Sequence, residues 1–317
     1  MHTAGGLSLE QTVARASAQG LPKLNAMALH KRLCNSHQWL ADLTTHLLEG
    51  IRPLFKESGD CWNLGRTVRI LDATDVEEPG ATGTDWRIHY SLRLPELCCD
   101  FFELTDAHGG ESLRRLPVDR GDLVLVDRGY NDRKAVGRVM DLGGDVIMRY
   151  HSSNFPLLTP SGKAFNPLEG LRGLKIGEVQ EWPVCFAAEG KTREARICAI
   201  RKSSEQAERA LRKIKIKMRS GFERVKPSTL EYAHFIVIVC TVPAAEMSAE
   251  LVLEFYRARW QIELAFKRLK SLLQLGQLPK KKEESCRAWM QGKILTALLI
   301  ERLLCEEHFF SPWGYRL

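Results

Sequence analysis

No apolar run in this chain approaches the roughly 20 residues needed to span a bilayer, and no C-x-x-C pair occurs among its nine cysteines, at positions 34, 61, 98, 99, 185, 198, 240, 286 and 305. An odd, scattered set offers neither a paired disulfide framework nor the twin-pair spacing of a zinc ribbon, so a reduced chain is expected. Cys305 and His308 have C-x-x-H spacing. A closed structural zinc site needs four ligands and no second pair stands nearby, so zinc is not expected. A basic-then-apolar leader is also missing at the N-terminus, which points away from export and membrane insertion and toward a cytoplasmic chain. Internal repeats and low-complexity tracts are absent, excluding solenoids and arrays.

A chain of 317 residues with 44% hydrophobic and 27% charged residues has enough apolar material for one large core or two smaller ones. Its formal charge of +7 and sequence pI of about 8.9 place basic patches on the surface. Such patches attract polyanions, although many basic proteins bind no nucleic acid.

Helical periodicity runs from Leu9 to about Leu54, with Ser8 before Glu10 and Gln11 as a candidate cap and a second run from Met27 to Leu48. This helical N-terminal subdomain, residues 1–60, is either an accessory DNA-binding element or a bundle packed on the core. Residues 61–150 read as α/β. Three short strands, 68–76, 86–94 and 98–105, precede a buried strand at 122–127, a helix at 132–142 and a strand at 145–150. From 151 to 245 helical periodicity fades and strand-like segments such as 195–200 and 235–239 predict a mostly β insertion. Within it Lys213, Lys215 and Lys217 alternate with Ile214 and Ile216, either as a DNA-backbone strip or as a solvated face. Residues 246–317 read as two long helices, 249–275 and 284–307.

On a continuous helix at about 100° per residue, Tyr256, Arg259, Glu263 and Lys270 fall within an arc of about 60°, with Lys267 at its edge. An apolar stripe of Leu251, Phe255, Ile262, Phe266, Leu269 and Leu273 runs beside them. One acid among a tyrosine and several bases suits a metal-phosphate site. The plainer reading is an exposed helix with ion pairs such as Glu263 with Lys267. Asp72 and Asp127 add weight, because each lies on or at the end of an apolar strand, where an unpartnered carboxylate is costly. Asp75 lies an odd number of residues from Asp72 and so faces the other side of that strand. Gly129 permits the turn that leaves Asp127 at its strand end.

These residues resemble those of the DDE-type insertion-sequence transposases, specifically the insertion-sequence-four group. Tyr256, Arg259, Glu263 and Lys270 match the group's Tyr-x2-Arg-x3-Glu-x6-Lys spacing. Leu71-Asp72-Ala73-Thr74 resembles the first aspartate motif, and Val126-Asp127-Arg128-Gly129-Tyr130 the second. The resemblance covers roughly residues 60–300. It implies a ribonuclease H-like mixed sheet flanked by helices and interrupted by the β-rich insertion between the second aspartate and the glutamate. It further implies Asp72, Asp127 and Glu263 as ligands of two Mg²⁺ ions, with Mn²⁺ a plausible substitute. Tyr256, Arg259, Lys267 and Lys270 become DNA contacts. The implied partners are double-stranded DNA, both inverted-repeat ends and target, and a second protomer on that DNA, in a nucleoid-associated protein. Two competing functions stand beside this one. A non-catalytic DNA-binding descendant would tolerate loss of Asp127, and a general nuclease on the same core would cut unrelated duplexes equally.

Overall fold

The computed structural model describes residues 6–21, 23–51, 65–80, 83, 85–219, 226–279 and 281–306. The chain forms two compact units. The first comprises Met1–Asn63, Leu71–Glu111 and Trp260–Leu317, the second Leu64–Ile70 and Ser112–Arg259. Each unit gathers more than one stretch of the chain.

In the first unit, helix α1 (Leu9–Ala18) opens with a reciprocal cap. Gln11 N donates to Ser8 Oγ at 3.1 Å and Ser8 N donates to Gln11 Oε1 at 2.9 Å, which satisfies two otherwise orphaned amides. The run expected from Met27 to Leu48 is two helices, α2 (Ala26–Asn35) and α3 (His37–Ile51). Ser36 separates them, its hydroxyl donating to Leu33 O at 2.9 Å, a local bond that competes with the helical ladder. Both helices pack on the closing helix α10 (Glu283–Glu306), which also meets strand β3 (Cys98–Asp106). Strand β2 (Trp86–Leu94) pairs antiparallel with β3, Trp86 opposite Asp106. Beside β2 lies β1 (Thr67–Val76), whose residues from Leu71 onward belong to this unit.

The second unit is built on parallel pairing. The first residues of β1 run parallel to β4 (Asp122–Val126), Thr67 opposite Asp122, and β4 runs parallel to β5 (Asp145–Arg149). Helix α4 (Arg133–Asp141) makes the crossover between β4 and β5, capped by Asp132, which accepts from Lys134 N at 2.9 Å. Every residue of β4 is buried. Asp122 keeps its place there through Arg69, whose guanidinium donates to it at 2.8 Å, while burial still raises the carboxyl above its ordinary range.

Strand β10 (Phe235–Cys240) extends the sheet antiparallel to β5, followed by β9 (Lys191–Arg201), β8 (Val179–Ala188) and the short β6 (Leu157–Leu158) and β7 (Ala164–Phe165). The strands of segment 151–245 continue the sheet of their unit. The segment also holds helices α5 (Pro167–Leu171), α6 (Ser204–Arg219) and α7 (Pro227–Tyr232). The basic run expected amid β structure lies on α6 as far as Arg219. Strands and helices together give a mixed sheet flanked by helices, of ribonuclease H-like type.

The long helix expected from 249 to 275 is also two helices, α8 (Ala249–Ala258) and α9 (Gln261–Ser271). Between them Arg259 N bonds Tyr256 O at 3.2 Å and Glu263 N bonds Trp260 O at 3.0 Å, so the ladder tightens to three-residue spacing without leaving right-handed backbone angles. The cause is packing: Val252, Leu253 and Phe255 are buried in the second unit, and Ile262, Phe266 and Leu269 in the first. No helix among the described residues is long and apolar enough to cross a membrane.

Candidate active site

The second aspartate is placed by the end of β4. Asp127 ends the strand and caps a single 3-10 turn, Arg128–Tyr130, accepting from Gly129 N at 2.6 Å, so the glycine amide fixes one carboxylate oxygen. Asn131 then ties this turn to the end of the neighbouring strand. Its amide nitrogen donates to Arg128 O at 3.2 Å and to Arg149 O at 2.8 Å, and its oxygen accepts from His151 N at 3.0 Å. Asn131 is buried, and nothing in sequence spacing singled it out.

Around Asp127 the same unit gathers cations and one phenol. Tyr256, half-buried on α8, feels the charges of Arg149, Arg259, Asp127 and Arg128. Burial raises its phenol above the ordinary value, against the pull of the arginines, so the hydroxyl is a proton donor at neutral pH. Arg149 is pushed down to about 10 by burial and by the facing Arg128 and Arg259, and it donates to Phe235 O at 3.1 Å. Lys202 is pushed down to about 8 by burial, Arg149 and Arg128. Asp127, Tyr256 and Arg259 were expected in the site; Arg128, Arg149 and Lys202 were missed. Each of the missed three is an ordinary basic residue beside a strand end, and only the fold brings them together.

Asp72, Glu263, Lys267 and Lys270 lie in the first unit. Asp72 is half-buried on β1 and accepts from Ala73 N at 2.9 Å, while Asp75, on the opposite face, is exposed and accepts from Arg87 at 3.1 Å. Glu263, Lys267 and Lys270 share the exposed face of α9, opposite buried Ile262, Phe266 and Leu269. Tyr90 meets Phe266 edge-on at a centroid distance of 5.9 Å, which helps seat that helix. Backbone bonds from Glu77 N to Gly276 O at 3.3 Å and from Leu278 N to Glu77 O at 2.9 Å tie the loop after α9 to the end of β1. The expected single arc across Tyr256, Arg259, Glu263 and Lys270 does not exist on one helix. It divides into Tyr256 with Arg259 on α8, and Glu263 with Lys267 and Lys270 on α9.

Lys213 and Lys215 are exposed on α6, and the side chain of Lys217 lies outside the described residues. A helical pitch of about 100° per residue turns Lys215 to the far side from Lys213, so the alternating run is not one strip. Among the described residues no group of three His, Cys, Asp or Glu side chains is positioned to hold a metal, and the acids at 72 and 263 belong to one unit and that at 127 to the other. His308 lies outside the described residues, so the C-x-x-H pair does too. The described thiols, at 34, 98, 99, 185, 198, 240 and 286, are buried and form no disulfide with one another.

A carboxylate fixed at a strand end, a protonated phenol and neighbouring cations, on a ribonuclease H-like sheet, suit an enzyme class that acts on phosphodiesters. Comparison with known proteins makes this specific. Residues 105–299 match the family described as transposase DDE domain. The chain is 33% identical over 317 residues to the transposase for insertion sequence element IS421 of Escherichia coli, covering 97% of this chain and 84% of that protein. It is equally similar to InsL for insertion sequence element IS186A of Escherichia coli strain K12, with the same shares covered. The transposase for IS231F of Bacillus thuringiensis subsp. israelensis is 26% identical over 194 residues, covering 56% of this chain and 41% of that protein. The chain belongs to the DDE-domain transposases and is a DNA transposase, a family that uses divalent metal ions.

Proposed function

We propose that this transposase nicks the ends of its own element and joins the freed 3′-hydroxyl to target DNA, with Asp72, Asp127 and Glu263 as metal-binding carboxylates. The observation that carries this is Asp127, fixed at the end of β4 and facing Tyr256 in a surround of arginines. All three proposed ligands are carboxylates, and hard oxygen donors suit Mg²⁺, with Mn²⁺ an acceptable substitute. Two such ions, when bound, supply a more acidic water or 3′-hydroxyl and charge stabilisation for the departing oxygen.

The chain's own residues do the rest. Tyr256 donates a hydrogen bond from its phenol to a non-bridging phosphate oxygen, and Arg259 with Arg149 binds the neighbouring oxygens and holds the phosphorus in line. Gly129 N keeps the Asp127 carboxylate turned toward the centre. In the first step a water oxygen bonds to phosphorus and gives up a proton, the bond to the 3′-oxygen breaks, and that oxygen takes up a proton to become a 3′-hydroxyl. In the second the 3′-oxygen bonds to a target phosphorus, and the target's own 3′-oxygen leaves. Lys267 and Lys270 contact the duplex backbone away from the scissile phosphate, and of the run Lys213, Lys215 and Lys217 only those on the DNA-facing side of their helix join them. The working form is a homodimer on double-stranded DNA, nucleoid-associated in the bacterial cytoplasm.

The test incubates the chain and its Asp127→Asn variant with the element's terminal DNA and Mg²⁺. Losing a metal-binding carboxylate removes several kcal/mol of transition-state stabilisation, so nicking falls on the order of a thousand-fold while DNA binding persists. Intact DNA with the unaltered chain under every divalent metal tried, or full activity in the variant, would overturn the reading.

A further inference from the structure

We propose that Lys202, where β9 gives way to α6, is a DNA-phosphate contact of the same centre, contributed by the segment that separates the second aspartate from the glutamate. This deepens the transposase reading above and rests on it.

Two cations are clipped to one short stretch of backbone. Lys202 Nζ donates to Ala233 O at 2.7 Å, its backbone N donates to His234 O at 2.9 Å, and Arg149 donates to Phe235 O at 3.1 Å. The three acceptors are consecutive residues joining α7 to β10. Lys202 also feels the charge of Arg128, on the turn that Asp127 caps, and Asn131 ties the carbonyl of Arg128 to that of Arg149. Among the described residues none of Arg128, Arg149 and Lys202 is ion-paired with an acid.

Keeping like charges together costs free energy in a half-buried site, where screening is weak. A lysine has a flexible four-carbon stem and would relieve the repulsion by swinging into water. Here the amine is instead turned onto a main-chain carbonyl. Burial, with the charges of Arg149 and Arg128, pushes Lys202 down to about 8, so an anion brought to these cations would favour its charged form. An ammonium has three protons, and the Ala233 carbonyl takes one, so two remain for a ligand. A phosphate supplies both the acceptor oxygens and the opposite charge, and a DNA transposase brings phosphates to this centre. Lys213 and Lys215 differ from Lys202 in being exposed on α6 with no such anchor.

The experiment measures binding of a mixed-sequence DNA duplex by the whole chain across a salt series without divalent metal. Lys202→Met keeps most of the stem and removes the charge. The slope of log affinity against log salt is then expected to shrink by about one, with several-fold weaker binding, and Lys202→Arg restores both. Should the methionine variant fail to fold, Lys202→Gln, whose amide can still serve the Ala233 carbonyl, takes its place with the same expectation. A folded, uncharged variant with the original slope overturns the proposal and leaves the transposase reading standing. Absence of DNA binding by the unaltered chain sinks that reading itself.

Discussion

Glu301 carries an acidity that the proposed chemistry does not use. Its carboxylate accepts from Tyr90 Oη at 3.1 Å and from Cys99 N at 2.9 Å, joining α10 to β2 and β3. Burial pushes it up to about 7 from an ordinary 4.5, and the two hydrogen bonds and Arg268 only partly oppose that. The unfolded chain loses this proton near 4.5 and the folded chain near 7, so between them the unfolded state holds fewer protons and stability falls as pH rises. Protonated Glu301 thus favours the fold in acid, and the benefit is gone above about 7. At about 1.4 kcal/mol per unit the loss is roughly 3 kcal/mol at most. Glu301→Gln keeps a neutral amide in the same place. Its stability should stay flat where the unaltered chain weakens, and it should be the more stable of the two at about pH 8. Urea midpoints measured across that range decide the matter: parallel curves for the two proteins would refute the assignment.

Elements were legible where local chemistry and packing agreed. Ser8 and Gln11 form the cap expected near that point, β4 is the buried strand its apolar run predicts, and opposite facing of Asp72 and Asp75 follows from strand parity alone. The break at Arg259 and Trp260 was not legible, because neither is a glycine or proline and both keep helical angles; two separate cores impose it. Lys213 to Lys217 misled in the opposite direction, since alternating Lys and Ile looks like a strand face but stands on α6. The turn from α4 into β5 shows packing at work on a residue whose identity is otherwise plain. A Cβ on Gly144 would lie 2.9 Å from Val118 Cγ1, 3.1 Å from Val139 Cγ1 and 3.2 Å from Asp122 O. The backbone oxygen and the buried valine cannot both give way, so Gly144→Ala should cost about 1–3 kcal/mol, in the range of overpacked cores. Thermal unfolding checks this, and an unchanged midpoint would mean that the α4 turn is looser than its contacts indicate.

Over the whole molecule, charge is of two kinds that salt should separate. The excess of +7 rests partly on exposed lysines such as Lys213, Lys215, Lys267 and Lys270, which attract the duplex through solvent and are screened within about 10 Å at ordinary ionic strength. Arg149, Lys202 and Arg259 are half-buried in the second unit, where ions screen them far less. Raising salt should therefore loosen overall binding steeply, by about a thousand-fold or more between roughly 50 and 200 mM if six or more phosphates are neutralised. A complex saturated with protein should nonetheless nick at nearly the same rate when Mg²⁺ is added, because the groups nearest the reacting phosphate keep their hold. The comparison needs binding constants and single-turnover nicking rates over the same salt series, with protein always in excess of the measured dissociation constant. A nicking rate that falls in step with affinity would show that the half-buried cations do not grip the scissile phosphate, and that the exposed lysines set both binding and chemistry.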